Sequence, residues 1–203
     1  MRVAVYCGAN VGTSPRFAEC ARELGTALAR AGIGIVYGGA SRGLMGALAD
    51  AGIAAGGEVI GVLPRALSDR EIAHPGLTTM HLVGTMHDRK ALITELSDAF
   101  IALPGGIGTL DELFEAWTWA QIGLHRKPIA LLDLDGFYQP LLTFLRGVVD
   151  AGFLKPERLD SLVICPDVPA FMASLMAFFT ASLASGARAP NAPRDDSLTT
   201  SLS

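Results

Sequence analysis

The chain has 203 residues, half of them hydrophobic and only 18% charged, where an average soluble protein has roughly 25% charged. Such an apolar chain can bury a sizeable core, which excludes wholesale disorder. Its 16 basic and 20 acidic side chains give a net charge of −4. That argues against a nucleic-acid protein working through a basic surface, but it leaves room for a local phosphate site.

Arg2–Cys7 reads as a short strand ending at Gly8. Pro15–Arg30 has apolar residues at helical spacing (Phe17, Cys20, Ala21, Leu24, Leu28), with Ser14 placed as N-cap, Pro15 in the first turn and Gly32 as the stop. Ile33–Tyr37 predicts a second strand leaving through Gly38-Gly39. Leu44–Ala55 predicts a helix, and Val59–Leu63 a strand stopped by Pro64. Arg65 to Pro75 is polar and aperiodic, and reads as a loop. Thr78–Leu82, Ala99–Leu103, Ile129–Asp133 and Ser161–Cys165 predict further strands. Met86–Leu96, Leu110–Ile122, Tyr138–Asp150 and Val168–Leu183 predict the helices between and after them. Short, continuously apolar strands alternating with helices imply a parallel sheet covered on both faces. The expected fold is α/β, a Rossmann-like doubly wound sheet over residues 1–184 with its ligand beyond the carboxyl ends of the strands. Residues 185–203 are rich in Pro, Ser, Thr and Asp and are expected to form a disordered tail.

Cys7, Cys20 and Cys165 are few, odd in number and far apart, without zinc-like spacing. Reduced thiols in a cytoplasmic protein are the expectation. The first residues run straight into a strand without the order of a signal peptide. No apolar stretch reaches the ~18–20 uninterrupted residues of a membrane span.

The strongest chemical signal is Pro104-Gly-Gly-Ile-Gly-Thr-Leu-Asp-Glu112, which follows a buried strand and opens a helix. Gly105, Gly106 and Gly108 let the backbone approach a ligand. The N–H groups of the first helical turn lack partners and favour an anion, and Thr109 can cap the helix or bind a phosphate. No Lys-Ser/Thr follows the glycines, so this is not a triphosphate loop. The bland alternative is a tight turn in which Asp111 and Glu112 simply complement the helix end. A second signal is Met86-His-Asp-Arg-Lys90. Arg89 and Lys90 lie early in a helix, where the dipole disfavours cations. An anionic substrate would explain them, and a solvated basic pair near Glu95 is the alternative. Tyr37-Gly-Gly-Ala-Ser-Arg-Gly-Leu-Met-Gly46 falls short of a dinucleotide fingerprint, and packing of Gly43 and Gly46 against the sheet is its plainer reading. Cys7-Gly-Ala-Asn10 could line a nucleotide pocket or be a turn. His74, His81, His87 and His125 form no triad or ligand spacing and are read as structural or rim residues. No serine nucleophile elbow or Schiff-base lysine is evident.

Met86-x-x-Arg89-Lys90, followed fourteen residues after Lys90 by Pro104-Gly-Gly-x-Gly-Thr-x-x-Glu112, resembles the paired signature of the LOG ("Lonely guy") family. These are cytokinin riboside 5′-monophosphate phosphoribohydrolases, often mislabelled lysine decarboxylases. The similarity continues through Trp117–His125, Lys127–Asp133, Gly136-Phe-Tyr and Tyr37–Gly46, and covers roughly residues 2–180. Ile107 stands where many members have Tyr or Phe, and Asp111 where several have Glu. The resemblance implies that Arg89 and Glu112 are the catalytic pair. It implies that Gly105, Gly106, Gly108 and Thr109 form the phosphate loop, and that Lys90 and Glu71 make further substrate contacts. It also implies a homodimer with the glutamate-bearing helix near the interface, and no metal or redox cofactor. The implied reaction is hydrolysis of the N-glycosidic bond of N6-modified adenosine 5′-monophosphates to free base and ribose 5-phosphate. A general nucleoside 5′-monophosphate nucleosidase acting on AMP, and a non-catalytic nucleotide carrier on the same scaffold, remain alternatives. Neither a nucleic-acid nor a membrane partner is expected.

Overall fold

The structure is a computed structural model describing residues 1–68 and 73–184. Its strands are β1 (Arg2–Tyr6), β2 (Gly34–Tyr37), β3 (Val59–Pro64), β4 (Thr79–Val83), β5 (Ala99–Ala102), β6 (Ile129–Leu132) and β7 (Leu162–Cys165). Its helices are α1 (Pro15–Arg30), α2 (Gly43–Ala54), α3 (Arg65–Ser68), α4 (Met86–Leu96), α5 (Ile107–Gln121), α6 (Gln139–Asp150), α7 (Pro156–Leu159) and α8 (Val168–Ala184). The strands form one parallel sheet in the order β4-β3-β2-β1-β5-β6-β7. This is the doubly wound α/β architecture that the alternation of elements predicts.

Successive residues of a strand face opposite sides, and in β1 both sides are dry. Val3 and Val5 join Leu24, Leu28, Ile35, Leu48, Ile101 and Phe171 beneath α1, α2 and α8. Ala4 and Tyr6 join Val36, Val62, Ile93, Phe100, Leu113, Trp117 and Leu142 beneath α4, α5 and α6. That is why the central strands read as unbroken apolar runs rather than as alternating ones. Each fully buried Leu, Ile, Val or Phe in these layers contributes about 1.5–3 kcal/mol of transfer free energy. At the sheet edge, β4 is only partly buried.

Three local readings need correction. Helix α5 starts at Ile107, three residues before the run of apolar residues that marks it in the sequence, with Gly106 as its N-cap. Gly108 and Thr109 are therefore already helical, and Thr109 is not the cap. The glycines mask this start because they carry no periodic signal. The segment after β3 is not wholly a loop, because Arg65–Ser68 forms one helical turn. Gly43 and Gly46 pack against loop backbone and not against the sheet. Gly43, at φ +62, abuts the carbonyl of Ala9, where a Cβ would collide, and a Cβ on Gly46 would strike the Ser41 carbonyl. Two short elements are not predicted at all: the 3-10 turn Leu134–Gly136 and α7. Glu71 and the 185–203 tail lie outside the described residues. No helix among the described residues is long and apolar enough to cross a membrane.

β1 lies between β2 and β5, and the helices that follow β1 and β5, α1 and α5, cover opposite faces of the sheet. At such a switch point the loops diverge and open a crevice at the carboxyl ends of the strands. The segments leaving β1 and β5 meet there, where the Gly8 N–H donates to the Pro104 carbonyl at 3.3 Å.

Candidate active site

Helix α5 sets one wall of the crevice. Its first intrahelical bond runs from the Leu110 N–H to the Gly106 carbonyl, at 3.1 Å. The N–H groups of Ile107, Gly108 and Thr109 thus precede the helix's own hydrogen-bond ladder. The three glycines differ in what they meet. A Cβ on Gly105 would collide with the Thr109 side chain, so Gly105 is required for the turn to close. A Cβ on Gly106 or Gly108 would find no atom within 4 Å, and neither residue has positive φ. Neither packing nor backbone conformation demands glycine at those two positions. Tyr138 braces the strand end that carries the turn, its buried hydroxyl donating to the Leu103 carbonyl at 2.6 Å.

Helix α4 supplies the opposing cation. It opens with a capping box: the Thr85 Oγ1 accepts from the Asp88 N–H at 3.1 Å and the Thr85 N–H donates to the Asp88 carboxylate at 2.9 Å. Asp88 in the first turn satisfies the helix dipole despite the cations that follow. From this turn Arg89 reaches over the end of the sheet. Its Nε donates to the Val62 carbonyl at 3.0 Å and its Nη1 to Glu112 Oε1 at 2.5 Å. Its Nη2 lies against the Cα of Gly38, where any side chain would collide with it. Gly38 thus admits the arginine, while Gly39, at φ +80, faces Met80.

The Arg89 and Glu112 side chains are only 12% and 11% exposed. Burial raises the Glu112 carboxyl above its ordinary range, although the charge and hydrogen bond of Arg89 pull it the other way. The cleft into which the pair opens has a volume of about 420 Å³. Gly105, Gly106, Gly108, Thr109, Arg89 and Glu112 all line it. So do residues that the sequence did not single out as contacts: Met45, Met86, Phe17 and Phe137. The last two meet edge-to-face at 5.9 Å, and the exposed pair Arg16–Asp135, at 3.1 Å, ties the same two segments together. Cys7 also lines the cleft, and burial pushes its thiol up, so it stays protonated.

Lys90 does not line this cleft. Its Nζ donates to Glu115 at 2.7 Å and pairs with Asp111 at 2.9 Å, neither of them the Glu95 suggested by sequence proximity. Among the described histidines none lines the cleft. His125 packs on Phe100 and bonds to the Ala116 carbonyl, and His74 bonds to Asp50. The Thr85-x-x-Asp88 box was legible in the sequence and would have explained the tolerance for Arg89 and Lys90. The partnership of Gly38 with Arg89 was not legible, because it joins the end of one strand to a helix some fifty residues on.

Comparison with known proteins places this geometry in a family. The family model described as "Possible lysine decarboxylase" matches residues 45–175. The chain is 45% identical over 174 residues to a cytokinin riboside 5′-monophosphate phosphoribohydrolase of Rhodococcoides fascians, spanning 85% of this chain and 88% of that one. It is 46% identical over 166 residues to the enzyme of that name, LOG7, of Arabidopsis thaliana, spanning 82% and 76%. Among solved structures, the molybdenum cofactor carrier protein of Chlamydomonas reinhardtii superposes with a TM-score of 0.67 at 24% identity, over 88% of this chain and 98% of that one, a likeness of fold. The chain therefore belongs to the LOG family of cytokinin riboside 5′-monophosphate phosphoribohydrolases.

Proposed function

We propose that this protein hydrolyses the N-glycosidic bond of N6-modified adenosine 5′-monophosphates, the cytokinin ribotides, releasing the free base and ribose 5-phosphate. The observation that carries the reading is the meeting, in one cleft, of an open helix N-terminus with a buried Arg89–Glu112 pair. The 5′-phosphate docks on the N–H groups at the start of α5, beside Gly106, Gly108 and Thr109. Gly106 and Gly108 are bare there without any structural need to be, which suits backbone contact with an anion. Holding the phosphate fixes the ribose over Glu112.

The C1′–N9 bond then breaks with its electron pair leaving on the base, and positive charge builds on the ribose. The Glu112 carboxylate stabilises that charge and orients the water whose oxygen bonds to C1′. The water loses one proton as the C1′–O bond forms, and the base gains one as it leaves. Arg89 holds Glu112 ionised and in place, and presents its guanidinium to the ribose phosphate. The contact from Glu71 is carried by the family resemblance alone. No lysine lines the cleft among the described residues, so the family model's printed name is not the activity proposed.

Incubating the protein with AMP and with N6-isopentenyl-AMP, and measuring free base and ribose 5-phosphate, tests the reading. Release from the modified nucleotide in preference to AMP supports it. Equal release marks a general nucleosidase, and binding without release marks a carrier. Residues 1–184 act as one catalytic unit in this reading. We also infer a homodimer. Ile107, 82% exposed, and the exposed Ile122 and Leu124 leave apolar side chains at both ends of α5. A solution mass of one chain would contradict it. Three buried free cysteines support a cytoplasmic setting.

A further inference from the structure

Two neighbouring cations on α4 grip one turn of α5 in different ways. Arg89 bonds Glu112 itself. Lys90 bonds the residue before it, Asp111, and the residue three beyond it, Glu115. Asp111 and Glu115 lie four apart and so share a helix face, where two like charges repel unless a cation sits between them. The Lys90 side chain is 12% exposed and supplies that cation. A small space behind the catalytic wall is bordered by Tyr6, Lys90, Thr94, Glu112, Glu115 and Ala116. Lys90 borders this space beside Glu112 and does not line the cleft itself, although its partner Asp111 does.

We propose that Lys90 is a positioning residue, which pins Asp111 and Glu115 to α4 and thereby fixes the turn of α5 that aims Glu112 into the cleft. The assignment rests on the catalytic reading of Glu112 and makes Lys90 a support of that residue rather than a contact to substrate. Two of the three N–H donors of Nζ are already held by carboxylates, at 2.7 and 2.9 Å. The charges agree. Burial opposes the ammonium, yet its bonds to Glu115 and Asp111 hold it above its ordinary range. The groups facing Glu112 are Tyr6 from β1 and Cys7 just after it, Arg89 and Lys90 from α4, and Asp111 and Glu115 from α5. Burial keeps Tyr6 and Cys7 protonated. Three carboxylates thus face two cations, and removing Lys90 would leave one.

The test uses the full chain with Lys90→Met, Lys90→Arg and Glu115→Gln. Three quantities are read: kcat and KM for base release, the affinity for ribose 5-phosphate by calorimetry, and the titration of the Glu112 carboxyl by carbon-13 NMR. Lys90→Met is expected to lower kcat about 10- to 100-fold by loosening Glu112. KM and ribose 5-phosphate affinity stay within about twofold of wild type, and the Glu112 midpoint moves up as a nearby cation is lost. Lys90→Arg restores most of kcat, because a guanidinium fork can span both carboxylates. Glu115→Gln lowers kcat while moving the midpoint down, which separates positioning from charge and serves if Lys90→Met does not fold. A tenfold or greater loss of ribose 5-phosphate affinity with kcat retained, a Glu112 midpoint unmoved in Lys90→Met, or an unchanged kcat in Glu115→Gln would overturn the proposal. Should the wild type release no base, the proposed function fails, while the ribose 5-phosphate and titration measurements still decide the role of Lys90.

Discussion

Replacing Gly108 with Ala separates the demands of folding from those of binding. Gly108 is the second helical residue of α5, with ordinary φ and no atom within 4 Å of the position a Cβ would take. In a helix interior, Gly→Ala gains about 0.5–1 kcal/mol, and at the second position the gain is smaller. Gly108→Ala should therefore leave the melting temperature unchanged or slightly raised. The same methyl projects into the space assigned to the phosphate. Losing one N–H contact to a charged group costs about 1.5–3 kcal/mol, which corresponds to about 10- to 100-fold weaker ribose 5-phosphate binding. Calorimetric titration beside a thermal melt reads both quantities. Wild-type affinity in Gly108→Ala would show that the anion does not dock at the start of α5. A large loss of stability would show that the glycine serves packing after all.

Gly38→Ala should behave in the opposite way. Its methyl meets the Arg89 guanidinium and the Met45 sulfur, so it should cost about 1–3 kcal/mol and lower kcat as well, seen in urea unfolding alongside kinetics. Glu112→Gln keeps an oxygen for Arg89 and should bind ribose 5-phosphate normally while kcat falls about 10²- to 10⁴-fold; full turnover would remove Glu112 from the mechanism. Arg89→Ala strands a buried carboxylate and should destabilise the fold by about 3–5 kcal/mol as well as weaken binding, so an unchanged unfolding midpoint would refute the pairing. Burial holds the Glu112 carboxyl above its usual range, so kcat/KM should lose its acid limb above the ordinary carboxylate range, and a limb at the ordinary carboxylate pH would argue that another group titrates. On stability the sign follows from linkage: the folded chain binds that proton more tightly than the unfolded chain does. The contribution of this group therefore falls as pH rises from the unfolded value through the folded one.

The strand–helix alternation, the Ser14-Pro15 start of α1 and the unbroken apolar strands were legible because each is a local pattern. Period and capping chemistry are written within a few residues of one another. The site residues near Glu112 were legible as a motif, since the turn, the helix start and the carboxylate are contiguous. The onset of α5 was hidden, because Gly106 and Gly108 carry no side chain to show helical period. Nor could the sequence divide the labour of Arg89 and Lys90. The two are adjacent and chemically alike, but a helix turns about 100° per residue. One therefore faces Gly38, Val62 and Glu112 over the end of the sheet, and the other faces Asp111 and Glu115. Which partner each cation meets depends on where α4 and α5 lie across the strands, a long-range outcome of packing both faces of the sheet. The reading frame of elements was local information, and the partnership of charges came into being only when distant segments met.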